Sequence, residues 1–424
     1  MLIEFAVGNF RSFKDKQTLY LEAAGAVSEH KDQLITTDRH KLLRSVAIYG
    51  ANASGKSNLL RACAMMLDML FNPQLHSSIW ELPVEPFLLD DLSEKSPSFF
   101  EIVFLLNGTR YRYGFEATRK RFEAEWLYEA KKEREKLLFV RELDEIKVNS
   151  AFEGGKGLEK RTKPNSPFLL VCDQFNVKTA MSIIKWLNGW RIINNIEYGA
   201  QKFRDLTLDL LNETEYKAQI VNFLKRSDLS IDDIVTRNTR TKDNDITELH
   251  GDQPVYIKTI HKKYGEDGAV SGAVELNLSD NESSGTNKLF DLAGQIFSCL
   301  NRGTILLIDE MDAKLHPLLT RAIIRLFNLP ETNPNNAQLI FTTHDTNLLT
   351  YGSFRRDQVY FTEKNNIEAT NLYSLAEFKE EKGGKVRKDR SFEKDYMQGR
   401  YGAIPYLQAL DNIQARVVNE GDIL

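Results

Sequence analysis

The chain has 424 residues, 42% hydrophobic and 27% charged, an ordinary globular composition that excludes a disordered or fibrous protein. A formal net charge of -4 and a pI near 6.1 exclude an overwhelmingly basic nucleic-acid binder, though not a local basic patch. The three cysteines, Cys63, Cys172 and Cys299, lie far apart without CxxC spacing, so neither a disulfide framework nor a structural zinc site is expected, and the expected compartment is the cytoplasm. A prior of about 150 residues per domain suggests two or three units. No apolar run approaches the roughly 18 residues of a membrane span. The N-terminal MLIEFAVGNFRSF reads as a strand, not as a signal peptide.

In chain order, residues 2–7 predict a strand, followed by a turn at Gly8-Asn9, and Thr18 to Leu21 can pair with it as a hairpin. Ser45 to Tyr49 is short, apolar and β-rich and reads as a buried strand ending on Gly50; Leu59 to Phe71 reads as an apolar helix. Ser98 to Leu106 and Thr109 to Phe115, joined by Asn107-Gly108, carry a strong hairpin signal. Arg119 to Lys136 is helical by composition but hairpin-like by position, and its charges read as a solvated face. Gly154 to Gly157 reads as a loop. Thr179 to Arg226 turns helical, with Trp186 and Trp190 as core and heptads too poor for a coiled-coil arm. Cys172 reads as a small buried hydrophobe. Residues 235–280 return to short strands, then helix, strand and helix follow at 285–300, 304–309 and 316–328, with a further strand from Gln338 to Phe341. The tail from Lys379 to Arg400 is locally basic; a solvated loop is its default reading, and phosphate contacts to nucleic acid are the alternative.

Four motifs carry chemistry. Gly50-Ala51-Asn52-Ala53-Ser54-Gly55-Lys56-Ser57 matches GxxxxGK[ST] at every required position, between an apolar strand and a helix. Glycines let consecutive N–H groups curl inward onto phosphate oxygens, and the helix N-terminus adds partial positive charge. Lys56 is expected to reach the β- and γ-phosphates and the Ser57 hydroxyl to ligate Mg²⁺. Thr304 to Ile308 then runs straight into Asp309-Glu310. Two carboxylates at the end of a buried strand are costly unless a metal or partner offsets them. Asp309 would orient Mg²⁺ and Glu310 would polarise the attacking water as general base. Phe341-Thr342-Thr343-His344-Asp345 ends a third strand, where His344 can meet the γ-phosphate or the water. Glu282-Ser283-Ser284-Gly285-Thr286-Asn287-Lys288 opens a helix with small hydroxyls and a glycine, a terminus that can bind an anion but taken alone is a helix cap.

The order of these elements resembles the ATP-binding-cassette (ABC) class of P-loop ATPases: Walker A, signature helix, Walker B with a following glutamate, then switch histidine. Asn9-Phe10-Arg11-Ser12-Phe13 and GANASGKSN, which ends on Asn58, resemble the non-transporter SMC, RecF and OLD-like branch. ESSGT in place of LSGGQ, the segment Met311-Asp312-Ala313-Lys314-Leu315-His316-Pro317 and the tail Gly399 to Pro405 are similar to the RloA-like AAA_15/AAA_21 family of prokaryotic anti-phage defence ATPases. The resemblance implies an α/β P-loop head with a mixed sheet, an antiparallel β subdomain and a helical lobe. It implies one head built from discontinuous parts: 1–75 with Walker A and first helix, 80–165 the β subdomain, 170–280 the helical lobe and β insert, 281–350 the signature through switch histidine, and 351–424 a C-terminal segment.

The implied cofactors are ATP and Mg²⁺. The implied partners are a second copy, or a higher homo-oligomer, sandwiching ATP, and a separately encoded effector such as a nuclease or toxin in abortive infection. Direct nucleic-acid binding is a further option, and no membrane is implied. Ser283, Ser284 and Gly285 would contact the γ-phosphate bound to the opposite subunit, Asp312 would link the two sites, and Arg11 would lie near the phosphates. ESSGT departs from the glycine pair of LSGGQ, and Gln74 sits in a poor setting for a Q-loop glutamine. A GTPase would need an [NT]KxD motif, which Thr241-Lys242-Asp243-Asn244 misses, and no DxD-type nuclease centre follows His344. The alternatives to an effector switch are a RecF-like repair ATPase that clamps DNA and an ATP-dependent scaffold with little turnover.

Overall fold

A computed structural model describes residues 1–77, 79–194, 196–227, 230–238, 249–250, 253–350, 354–378 and 391–404. The chain opens with β1 (Leu2–Gly8) and β2 (Gln17–Tyr20), a small hairpin β3 (Leu34–Thr36) and β4 (Lys41–Leu43), then β5 (Ser45–Gly50) and α1 (Lys56–Phe71). After α2 (Asp91–Lys95) comes a meander of β6 (Ser98–Leu106), β7 (Thr109–Ala117), β8 (Phe122–Ala130), β9 (Lys136–Glu142) and β10 (Glu145–Val148). The helical part holds α3 (Phe168–Gln174), α4 (Lys178–Asn188), the strand β11 (Arg191–Ile193), α5 (Ile196–Leu211) and α6 (Thr214–Arg226). Strands β12 (Asp233–Asn238), β13 (Leu249–His250), β14 (Gln253–Tyr264) and β15 (Val270–Asn277) precede α7 (Leu278–Asn281) and the long α8 (Ser284–Arg302). Last come β16 (Ile305–Ile308), α9 (Pro317–Asn328), β17 (Gln338–Thr342), β18 (Val359–Lys364), β19 (Thr370–Ser374) and α10 (Phe392–Met397).

Two sheets organise the molecule. The first is antiparallel and seven-stranded, in the order β10-β9-β8-β7-β6-β1-β2. The second is six-stranded, β11-β16-β17-β5-β18-β19, parallel throughout except for the last pair. The mixed sheet is buried on both faces, as parallel strands require. Successive side chains point to opposite sides. Val46 and Ile48 of β5, Ile305 and Leu307 of β16 and Ile340 of β17 join one core with α1, α3, α4 and the antiparallel sheet. Ala47 and Tyr49, Leu306 and Ile308, and Leu339 and Phe341 join the other, with α8 and α9.

The expected α/β architecture is therefore present, as is the Asn107-Gly108 hairpin. Its two turn residues hold φ of 50° and 76°, the double left-handed geometry of a type I′ turn. Arg119 to Lys136 resolves as strand β8 and its turns, the hairpin-like reading and not a helix, and its charged side chains are exposed or half-buried except for Glu125. The sequence is deceptive there because Glu125 is wholly buried, accepting from the Phe168 and Leu169 N–H groups and the Tyr113 hydroxyl. The stretch from Thr179 to Arg226 is interrupted by β11, whose β-branched Ile192 and Ile193 extend the mixed sheet beside β16. Trp186 stacks on Phe104 at 4.4 Å between ring centroids and meets Trp190 edge-on, so both belong to the core. All three cysteines are free and buried. Among the described residues no helix is long and apolar enough to cross a membrane. Residues 241–244, 379–390 and Pro405, part of the sequence patterns discussed above, lie outside the described residues.

Gln338 at the start of β17 ties the two sheets together. Its carbonyl accepts from the Leu2 N–H, and its amide donates to the Leu2 and Leu43 carbonyls. The side chain is 0% exposed, so its loss strands three buried backbone groups. Gln338→Ala is expected to cost at least about 3 kcal/mol, read as a lower denaturation midpoint in urea. An unchanged midpoint would contradict the assigned tie.

Candidate functional site

The site begins where β5 ends. The chain leaves the buried strand at Gly50, turns through residues 51–54 and enters α1 at Lys56. Gly55 takes φ 112°, and a Cβ there would lie 2.3 Å from Thr370 Oγ1. Only glycine satisfies both the angle and the space. Ala53 also holds a left-handed φ of 61°, and the Ser54 N–H closes a turn onto the Ala51 carbonyl. Asn52 and Ala53 are exposed at the tip, whereas Ser54, Gly55 and Lys56 are buried.

Strands β18 and β19 brace this loop from outside. Ser54 Oγ is 2.6 Å from Thr362 Oγ1 of β18. Thr370 Oγ1 of β19 sits 2.8 Å from both the Ser54 carbonyl oxygen and Ser12 Oγ. Asn58 Nδ2 in turn donates to Ser12 Oγ at 2.8 Å. Ser12 lies within the Asn9–Phe13 motif without a role read from it, and Thr362 and Thr370 fall in no motif. Their signal is only that hydroxyls cluster at the ends of β-rich runs.

Lys56 folds back over the loop and donates to the Gly50 and Ala51 carbonyls at 2.8 and 3.0 Å. Burial lowers its pKa, while Asp309, Glu310 and Asp312 pull the other way. That interaction locates the carboxylates. β16 delivers Asp309 and Glu310 to the same sheet edge, with Ile308 beside Phe341 of β17 and Thr342 beside Ile48 of β5. Thr342 organises the acids: its hydroxyl donates to Asp309 Oδ1 at 2.6 Å and accepts from the Glu310 N–H at 2.7 Å. Glu310 is exposed and holds φ 49°, a left-handed angle uncommon for a side-chain-bearing residue. Such local strain concentrates at functional sites.

His344 follows β17 two residues after Thr342, and its N–H lies 3.3 Å from both carboxylate oxygens of Asp312. Desolvation and then the Lys56 ammonium lower its pKa below the ordinary 6.5, against Asp312, Glu310 and Asp309. The neutral ring is therefore the favoured form. The structure thus gathers Gly50 to Asn58, Asp309, Glu310, Asp312 and His344.

Two other predicted groups lie apart. Arg11 is paired with Glu85 at 2.7 Å, and it lines a cavity of about 450 Å³ together with Ser12, Asn58, Arg119 and Lys364. It is tied to the loop indirectly, through its neighbour Ser12, which contacts Asn58 and Thr370. Ser283 caps α8, its hydroxyl accepting from the Thr286 N–H. Gly285 packs against the Lys314 carbonyl, where a Cβ would approach to 3.1 Å. Among the described residues no hydrogen bond joins Ser283, Ser284 or Gly285 to the 50–58 loop. Gln74 lies exposed in a short 3₁₀ turn after α1.

The donor set suits a metal that keeps several waters and phosphate oxygens. Among the described residues no three His, Cys, Asp or Glu side chains group as an all-protein cage. Mg²⁺ is commonly bound through only one or two side chains. The Ser57 hydroxyl and the free Asp309 oxygen are of the right type.

A parallel strand running into a glycine loop and a helix, with a carboxylate strand two positions away in the sheet, defines a P-loop ATPase class of fold. The chain matches, over residues 45–350, the family model described as "AAA domain, putative AbiEii toxin, Type IV TA system", and it belongs to that family. No curated protein matches it. Among solved structures it is similar to an SMC head bound to the C-winged helix domain of ScpA, with 13% identity, TM-score 0.45, and 88% and 97% of the two chains covered. It is also similar to an SMC head with an extended coiled coil bound to the C-terminal domain of ScpA, derived from Pyrococcus furiosus. That match has 11% identity, TM-score 0.38, and coverage of 88% and 96%.

The position of His344 gives a direct check. In NMR titration its ring is expected to titrate below pH 6.5, and Lys56→Met is expected to raise that midpoint by removing a like charge. A midpoint unmoved by Lys56→Met would contradict their proximity.

Proposed function

We propose that this protein binds ATP with Mg²⁺, hydrolyses it, and uses the cycle to switch a head-to-head dimer that controls a separately encoded effector. The observation that carries this reading is the convergence of Lys56 with Asp309, Glu310 and His344 at one sheet edge. The curled loop N–H groups and Lys56 would hold the β- and γ-phosphates. Ser57 and Asp309 would hold the metal, which when bound supplies charge neutralisation for the phosphates. Glu310, exposed and fixed at its backbone by Thr342, would take the proton from the attacking water. His344, neutral, would donate a hydrogen bond toward the γ-phosphate or the water. Asn58 and Arg11 face a cavity beside the loop, where the nucleoside end would fit.

An unmatched helix start supports the dimer reading. Among the described residues the α8 N-terminus offers Ser283, Ser284 and Gly285 but makes no hydrogen bond to its own phosphate loop. It would close over nucleotide bound to a second copy, with Asp312 between the two sites. The discontinuous segments from 1 to 424 would then act as one head. The family description, which names a putative AbiEii toxin and a type IV toxin–antitoxin system, supports a toxin–antitoxin setting; within it, the effector controlled would be a toxin or nuclease of abortive infection. The free buried cysteines fit a cytoplasmic setting.

Lys56→Ala is expected to abolish MgATP binding in calorimetry. Glu310→Gln is expected to keep binding, to slow turnover by about a hundredfold or more, and to accumulate an ATP-bound dimer in light scattering. Turnover by Glu310→Gln at the wild-type rate would remove Glu310 as the base.

A further inference from the structure

Lys288 lies one turn into α8 and is 3% exposed. Among the described residues no carboxylate pairs with its ammonium. It donates instead to three backbone carbonyls in one short segment: Glu310 at 3.3 Å, Met311 at 3.1 Å, and Ala313. An ammonium has three N–H donors, so this segment takes all of them.

The segment they hold is unusual. Glu310 and Lys314, at its two ends, carry left-handed φ angles of 49° and 61°. On its other side it hangs from β17: the Glu310 N–H donates to Thr342 Oγ1, the Met311 N–H to the Thr342 carbonyl, and Asp312 accepts from the His344 N–H. The α8 side touches it twice, through Lys288 and through Gly285 against the Lys314 carbonyl. Burial lowers the Lys288 pKa to about 8, against the pull of Asp312 and Glu310, so the ammonium persists at neutral pH.

We propose that Lys288 is a positioning residue: through the Glu310, Met311 and Ala313 carbonyls it couples the Ser283–Gly285 helix start to the placement of Glu310 in the same chain. A shift of α8 when its N-terminus meets nucleotide on a second copy would carry the ammonium with it and turn the Glu310 backbone. This rests on the ATPase reading above, with Glu310 as base.

The test combines Lys288→Met, Lys288→Arg and Glu310→Gln with hydrogen exchange. In Lys288→Met we expect kcat to fall on the order of tenfold or more, affinity for a non-hydrolysable ATP analogue to stay within about threefold, and amides 310–313 to exchange faster. Lys288→Arg restores donors to the carbonyls and should recover most of the rate. In the Glu310→Gln background Lys288→Met should cost nothing further, because the two act as a unit. Wild-type kcat in Lys288→Met, joint loss of rate and affinity, or an additive loss with Glu310→Gln would each overturn the proposal. If Lys288→Met unfolds, exchange rises throughout the chain. Lys288→Arg then decides, and loss of 310–313 protection in that variant overturns the coupling. A wild-type protein without turnover would instead defeat the ATPase reading, while the exchange data would still report whether the lysine holds the segment.

Discussion

The parallel pairing of β5, β16 and β17 is the constraint on which the rest depends. Neighbouring strands lie about 4.8 Å apart, and in a parallel set all carboxyl ends emerge at one edge. Ile308 stands beside Phe341, and Thr342 beside Ile48. That register brings the exit at Gly50, the carboxylates Asp309 and Glu310, and His344 together, although they come from distant parts of the chain. Ligands of open α/β sheets collect at such edges. Burial of both sheet faces makes the register hard to shift, because a one-residue slip would exchange the residues facing the two cores.

Placing several charges at one edge is costly, and hydrogen bonding offsets that cost locally. Lys56 is buried against loop carbonyls, Asp309 accepts from Thr342, and Lys288 is enclosed by carbonyls of the following segment. A buried charge without such partners would neutralise or force its segment open. The exception is the Glu310 carboxylate, which is exposed while its backbone is fixed. A fixed backbone with an open side chain leaves a carboxylate aimed at whatever enters, a suitable state for a base. The antiparallel sheet and helical lobe serve as support. Gln338 joins β1 of the first to β4 and β17, and Arg204 of α5 pairs with Asp291 to hold the second against α8.

Much of this was legible in the sequence because the signals were local. A β-rich run ending in a glycine loop predicts β5 and α1, Asn-Gly predicts a tight hairpin, and apolar residues running into Asp309-Glu310 predict a strand end. What escaped depends on distant partners. Glu125 reads as a surface charge until Phe168, Leu169 and Tyr113 surround it. Arg191 to Ile193 is too short to stand out from helical flanks, and only its pairing with β16 makes it a strand. Thr342 and Lys288 both lie inside motifs visible in the sequence, yet spacing alone does not reveal that one bridges the two acids and the other holds their backbone. Arg11 was placed near the phosphates by its motif, and what spacing could not show is its pairing with Glu85 and its place in the cavity beside the loop.

The central claim is that the 50–57 loop and the Asp309-Glu310 pair form one nucleotide site. A crystal structure of the protein with Mg²⁺ and a non-hydrolysable ATP analogue tests it most directly. The account predicts the β- and γ-phosphates inside the loop, the metal between the Ser57 hydroxyl and Asp309, and the Glu310 carboxylate facing the γ-phosphate. A nucleotide bound elsewhere, or phosphates in the loop with Asp309 and Glu310 turned away from them, would contradict it.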